Sequence, residues 1–535
     1  MAVTDFSHQA FEQPESDRGA EARVSLRDRL VPPMPGSALW GWLGPLIVAA
    51  FGAFLRFYRL GTPHAVVFDE TYYAKDAYAL IKNGVDMQFV ENADKLMLAG
   101  NTDIFKKCGQ ASECASYVVH PPLGKWLIGA GEAIFGLNPF GWRFAAALIG
   151  ALSIFILARL ARRMTRSTLL GCLAGFLLSL DALHFVLSRT ALLDIFLMFW
   201  VLTGFACLVV DRDRTRQKLA EWRESASSLD VGPRLGWRPW RLAAGLCLGA
   251  GLATKWTTLF FIVAFAIMTL MWDAGARRAV GLNRPYSETF RLELPLATAW
   301  MALVPIIVYV SSFAGWFATD KGHGRNWAQA TSSGPFYFVF DSLRSWVGYQ
   351  HDVLSFHTGL ETPHNYQSEP WSWPLLLRPV AFFYESPKGC GADSCSWAVL
   401  GTGTPVIWFA GLAAMIGMIA WYVATRDWRA GAILLTYAAG WLPWFYYAIS
   451  DHRTMFLFYA LPMLPFMIIA IVLACGLIIG PADAPQRRRT AGAVGVGLFA
   501  LLVLANFAWL YPVIAAEIIP YQDWYDRMLF RKGWI

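Results

Sequence analysis

Two adjacent carboxylates, Asp69 and Glu70, stand in the stretch VVFDETYYAKDAY, shortly after an apolar run from Trp40 to Phe57. A positioned carboxylate can act as a general base. Successive helical residues point about 100° apart, so this pair does not make a symmetric dyad: one acid faces a site and the other supports it. The plain structural alternative is that Asp69 caps a helix and Glu70 complements its dipole. A functional reading needs cations or a phosphate nearby.

Cations are available in several short motifs. HPPLGKW puts His120 and Lys125 around a stiff Pro-Pro pair, Arg143 opens a later apolar run, and LSRTALLD places Arg189 and Asp194 about a turn. Lys255 lies at the tip of ATKWTTLF, and SDHRTMF carries Asp451, His452 and Arg453. An ionised side chain at the centre of a membrane helix costs about 3 kcal/mol, whereas near the ends long side chains snorkel to water. Each cation alone reads as snorkelling or as half of an ion pair; several gathered on one face read as a place to hold the phosphate of a lipid-linked compound. Two other patterns carry less. Gly245 and Gly249 in GLCLGAG have helix-packing spacing, and His351, Asp352, His357 and His364 lack a zinc-ligand pattern, so no metal is expected.

The elements that must position these groups are membrane helices. Of 535 residues 56% are hydrophobic and 16% charged, against about 25% charged in soluble domains. About eleven apolar runs are long enough, or nearly so, to cross some 30 Å of hydrocarbon. They are Trp40–Phe57, Gly141–Leu160, Thr168–Leu187, Ala191–Val210, Leu242–Thr254, Thr257–Trp272, Leu294–Gly315, Thr404–Val423, Ala430–Ile449, Thr454–Ile479 and Ala491–Tyr511. The net charge of +7 does not indicate nucleic acid, because the Lys and Arg fall in clusters between runs: RRMTR, DRDRTRQK, GARRAVGLNR, RDWR and QRRR. These occupy every second connection, as the positive-inside rule requires. The N-terminus is therefore expected in the cytoplasm and the C-terminus outside, and the short fifth and sixth runs are separated only on this charge pattern.

Residues 1–37 read as a disordered cytoplasmic tail without signal-peptide order. The outer connections include 58–140, with the acid pair, and 316–403. Each holds a local cysteine pair, Cys108 with Cys114 and Cys390 with Cys395; disulfides suit an oxidising compartment, and pairing within or between the loops is open. Amphipathic spacing predicts two helices lying at the outer interface, one ending at Gly84 and one beginning near Leu123.

The chain resembles the protein O-mannosyltransferases, specifically the actinobacterial type. The resemblance is carried in order by FDETYYAKDA, HPPLGKWLI, GWRFAAALIGAL, LSRTALLD, ATKWTTLF, PWSWPLLLRPV and RTMFLFYALPMLPF. It implies an all-α polytopic C-type glycosyltransferase (GT-C) fold, with catalytic residues in the first outer loop. It implies transfer of mannose from polyprenyl-phosphate mannose to Ser or Thr hydroxyls of exported proteins at the plasma membrane, with no cofactor. Eukaryotic relatives carry a β-trefoil domain in the large loop, for which 316–403 leaves no room. On this reading Asp69 accepts the acceptor's proton and Glu70 orients the acceptor or the base. Lys125, Arg143, Arg189 and Lys255 are candidates for the donor phosphate, with His120, Asp194, Arg378 and Arg453 as further site residues. A translocation channel is a possible partner. Rival readings are a GT-C enzyme acting on a lipid or cell-wall glycan, and a transporter or flippase; a transporter would place charges at mid-membrane, whereas here they collect on one face.

Overall fold

The computed structural model describes residues 25–109, 111–330, 337–531 and 533–535. Its membrane helices follow the apolar runs. They are α1 (Ala38–Phe57), α4 (Pro139–Thr165), α5 (Thr168–Ser179), α6 (Asp194–Ser225), α7 (Pro239–Leu252), α8 (Thr258–Ala279) and α9 (Pro285–Ser312), then α11 (Pro405–Thr425), α12 (Trp428–Ile449), α13 (Leu457–Ile479) and α14 (Gln486–Ile514). Among the described residues nine of these are long and apolar enough to span a membrane, α5 and α7 being shorter. Among the described residues the longer helices outside the bundle are α2 (Glu70–Asn83), α3 (Leu123–Phe135) and α10 (Tyr337–Thr358).

Charge and capping decide several boundaries. α7 and α8 are separate helices, broken at Ala253–Thr257 with Lys255 in the turn, so the division drawn from charge is where the chain breaks. The third run also breaks, at Leu180: Asp181 caps a second short helix, Ala182–Leu187, by accepting from the His184 amide. In the opposite direction, α6 continues far past its apolar run to Ser225. Its polar part begins with buried ion pairs of Asp211 to Arg238 at 2.5 Å and to Arg241 at 3.3 Å; the same network joins Arg241 to Asp273 at 2.8 Å and Arg277 to Glu293 at 2.7 Å. Basic residues that mark orientation thus also build a buried network, which one-dimensional spacing does not reveal.

The core runs through α4, α6 and α13, whose Leu157, Phe205, Leu464 and Ile468 are fully buried. α1 and α14 are peripheral, with Phe54 and Leu498 more than 60% exposed, as lipid-facing helices are. Of the expected tail, residues 1–24 lie outside the described residues; beyond them Leu26–Leu30 is helical and packs Leu26 and Leu30 beside Leu219 and Trp222.

The end of the bundle opposite the arginine clusters, here the loop face, carries the long connections 58–138 and 313–404. α2 ends at Gly84, whose φ of +76° gives the left-handed cap its sequence suggests. α2 and α3 pack where Gly129 lets the Ala77 carbonyl approach within 2.8 Å of where a Cβ would stand. α3 buries Gly124, Lys125, Gly129 and Glu132 and exposes Ile134. Its small and polar face turns inward and its apolar face outward, as packing against protein in a lipid environment favours.

The chain is helical as expected, with one small sheet beside the bundle. Val380–Glu385 (β1), Cys395–Gly401 (β2) and Ile518–Pro520 (β3) form an antiparallel sheet in the order β1-β2-β3, with Val380 opposite Gly401 and Cys395 opposite Pro520. β1 overlaps the aromatic run WSWPLLLRPVAFFY. Cys390 and Cys395 are bonded to each other just before β2, and Cys108 to Cys114 in the first loop, so both pairs close locally.

Candidate active site

Asp69 is the residue before α2, and its main-chain carbonyl accepts from Tyr72 and Tyr73. Its side chain makes no capping bond. The chain enters the helix through Phe68, whose φ of +50° is costly for a bulky residue. An aromatic clamp holds that conformation: Phe68 packs edge-on against Phe382, Phe456 and Phe458 at 4.9 to 6.0 Å. These partners come from β1 and from the segment at the start of α13, so distant parts of the chain set where Asp69 points.

The Asp69 carboxylate has no hydrogen-bond or ion-pair partner among the described residues, and it is half-buried. Burial pushes its pKa up to about 6, with Lys255 opposing and Asp194 adding to the shift. Lys255 lies across the site in the α7–α8 turn. It donates to Asp194 at 2.8 Å and sits 4.6 Å above the Tyr459 ring. Burial acts to neutralise Lys255, but Asp194, Tyr459 and Asp69 outweigh it, so its pKa is raised and it stays charged. A small cleft of about 270 Å³ leads from Asp194 and Lys255 along Phe260, Phe261, Trp444, Tyr459 and Pro462.

Beside this pair lies a second group. His120 is 6.0 Å from the Tyr73 ring and 5.2 Å from the His357 ring. Arg453 donates to the His357 carbonyl and approaches its Nδ1 at 3.2 Å. Burial, together with Lys255 and other cations, holds His120 well below the usual histidine range; burial and Arg453 bring His357 to about 4. Both imidazoles are therefore neutral at pH 7 and can donate or accept without adding charge.

Glu70 is placed quite differently from its neighbour. It is completely buried, and its carboxylate takes a two-pronged bond from Arg143 at 2.8 and 2.9 Å plus the amides of Val67 at 2.9 Å and Ala191 at 3.0 Å. Arg143 spends its other donors on the carbonyls of Pro63 and Ala65. Glu70, expected to orient the acceptor or the base, and Arg143, expected at the phosphate, are bonded to each other and do not line this cleft. The two rivet the first loop to α4 and to the turn before α6.

Two further cations expected at a phosphate are also committed elsewhere. Arg189 donates to the carbonyls of Arg56, Tyr58 and Arg59 at 2.6 to 3.0 Å, capping the end of α1. Lys125, 1% exposed, contacts Asp86 at 2.7 Å and Asp76 at 3.7 Å. Arg378 lies near the surface and bonds the carbonyls of Asn365 and Gly533, tying the large loop to the chain's end. Among the described residues no cluster of three His, Cys, Asp or Glu could hold a metal ion.

Tyr459, Tyr73 and His357 are site neighbours that the sequence did not single out. Tyr73 and Tyr459 stand in the conspicuous blocks FDETYYAKDA and RTMFLFYALPMLPF, but aromatics are too common at membrane interfaces to be chosen by type. His357 was visible only as one of several loop histidines.

With this geometry in place, the comparison with known proteins is direct. Residues 46–314 match the family of dolichyl-phosphate-mannose-protein mannosyltransferases, and residues 342–534 match the C-terminal four-transmembrane region of protein O-mannosyltransferases. The chain belongs to this family. It is 38% identical to the polyprenol-phosphate-mannose–protein mannosyltransferase of Mycolicibacterium smegmatis, covering 92% of this chain and 93% of the relative. The enzyme of that name from Mycobacterium tuberculosis is 37% identical, over 92% and 91%. The fold is GT-C. A solved yeast structure, the Saccharomyces cerevisiae Pmt1-Pmt2 complex bound to the sugar donor, superposes with a TM-score of 0.66 at 16% identity, covering 94% of this chain and 95% of that one. ArnT from Cupriavidus metallidurans, bound to undecaprenyl phosphate, gives 0.50 at 17% identity, over 90% and 66%.

Proposed function

We propose that this protein transfers mannose from polyprenyl-phosphate mannose to Ser or Thr hydroxyls of exported proteins, and that Asp69 is its general base. The observation that carries the reading is the unpartnered, half-buried Asp69 carboxylate opposite a charged Lys255. The hydroxyl proton passes to Asp69 as the hydroxyl oxygen attacks the anomeric carbon. The bond from that carbon to the phosphate oxygen breaks, the electron pair leaves with the lipid phosphate, and the configuration inverts. A base with a pKa near 6 is ionised at neutral pH yet basic enough to take the proton as the bond forms. Lys255 meets the charge that grows on the departing phosphate, and the aromatic cleft beside it receives the first part of the polyprenyl chain. His120, His357 and Arg453 frame the acceptor side.

The loop face lies outside the cytoplasm, which the arginine clusters at the opposite end support. Lateral diffusion in the bilayer then brings the donor, and export through a translocation channel brings the acceptor. The test is to incubate the purified full chain with polyprenyl-phosphate mannose and a Ser/Thr-rich peptide. Mannosyl peptide is expected from wild type and not from Asp69→Asn, and undiminished product from that variant overturns the assignment. For orientation, a cysteine at Gly100 should react with an impermeant reagent on intact cells while one at Gln217 does not.

A further inference from the structure

A large cleft lies at the opposite end of the bundle from Asp69. It encloses about 2750 Å³ of space open to solvent, between the ends of α4, α11 and α13, the starts of α5, α12 and α14 and the polar part of α6. Its walls carry Arg166, Arg212, Arg216, Arg426, Arg429 and Arg489 against a single acid, Asp427. Positive-inside topology explains basic residues near helix ends, but it does not require them to converge on one concavity.

Their pairing shows which charges are available. Arg429 is taken up by Asp427 at 2.7 Å, and Arg212 stacks 3.7 Å from the Trp428 ring and reaches Asp213. The Arg426 side chain has no hydrogen bond or ion pair among the described residues, only the Tyr422 ring at 5.3 Å. Arg489 makes one carbonyl bond at 3.3 Å and Arg166 one contact with the Met34 sulfur at 3.5 Å. The helices α5 and α12 begin at this wall, so the positive ends of their dipoles add to the field. The rim is apolar: Leu169 is 68% exposed, and Val423 and Ile478, next to the lining residues Ala424 and Ile479, are 63% and 57% exposed.

We propose that this cleft binds the phosphate of an anionic membrane lipid, with Arg426 and Arg489 as the headgroup ligands and the rim around Leu169 receiving the acyl chains. The shared chemistry is a phosphate anion; the apolar rim at a membrane helix boundary selects the lipid as its source over a free phosphate. This site is separate from the transfer site and does not rest on the reading of Asp69.

The experiment measures binding to the purified full chain in a zwitterionic detergent, by melting-temperature shift and native mass spectrometry. The probes are dihexanoyl phosphatidylglycerol, dihexanoyl phosphatidylcholine and inorganic diphosphate. The anionic lipid is expected to bind about tenfold more tightly than the zwitterionic one. The double variant Arg426→Gln with Arg489→Gln should lose that preference, while Lys388→Gln, an exposed loop change, keeps it. If the double variant melts lower without lipid, Arg426→Lys with Arg489→Lys is expected to retain the preference. Equal binding of the two lipids, or an unaltered preference in the double glutamine variant, overturns the site. A diphosphate effect as large as that of the lipid overturns the lipid assignment and gives the cleft to a free anion.

Discussion

Asp69 and Glu70 are neighbours in the chain and opposites in the structure. The Asp69 carboxylate has no hydrogen-bond partner among the described residues, and burial lifts its pKa to about 6. Glu70, one residue on, is sealed from solvent and accepts from Arg143, Val67 and Ala191. A carboxylate with its lone pairs filled is an anchor, and one left unfilled beside a cation is a reagent. The rigid anchor at Glu70 holds the first turn of α2 in place and thereby aims Asp69. A filled carboxylate and an unfilled one thus sit side by side, the first fixing the backbone that carries the second.

The largest expected effect tests the reagent half of that contrast. Asp69→Asn should lower the transfer rate by about 10²- to 10⁴-fold without unfolding the protein. Its stability has a definite pH dependence. Asp69 has a raised pKa in the folded state, so its contribution is full below the unfolded value near 4 and lost as pH rises through about 6. The asparagine variant should therefore melt above wild type at pH 8 and alongside it at pH 4. A variant that melts lower at pH 8 would show Asp69 to be structural after all.

Next in size is the anchor. Glu70→Gln leaves the buried Arg143 without its counter-charge, which should cost about 3 to 5 kcal/mol and appear as a sharply lower melting temperature and yield. Wild-type stability in this variant would erase the contrast. Lys255→Met should reduce turnover by about 10²-fold. It should also move the acid limb of the kcat/KM profile to higher pH, because Lys255 is the charge that holds the Asp69 pKa down. A limb that stays in place would separate Lys255 from the base. The smallest effect is at Arg378, whose two bonds to carbonyls near the surface make Arg378→Gln a loss of about 1 kcal/mol or less, with transfer activity retained.

Much of the fold was legible because hydrocarbon imposes length and hydropathy on any helix that crosses it. That constraint located the bundle helices, and the spacing of the arginines even divided α7 from α8 at Lys255. Where the constraint ends, reading failed. The polar half of α6 looked like a loop because its stability comes from ion pairs with Arg238 and Arg241, residues about thirty positions away. β1 was hidden in an aromatic run, and the sheet it joins is completed by β3, which pairs with the far edge of β2 from more than a hundred residues on. At the site, Asp69, Asp194, Lys255, His120 and Arg453 were visible as types in the right connections. Arg143, Arg189 and Lys125 looked equally suitable, since a sequence displays a cation without displaying what it already holds.

The sequence alone determined that this is a polytopic membrane protein whose unusual polar residues gather at one end, because apolar length and charge placement are properties of the chain itself. The tertiary structure decided which of two adjacent acids is free to react and which cation faces it. Availability depends on whether a group's hydrogen bonds are filled, and they are filled by residues as far apart as Glu70 and Ala191.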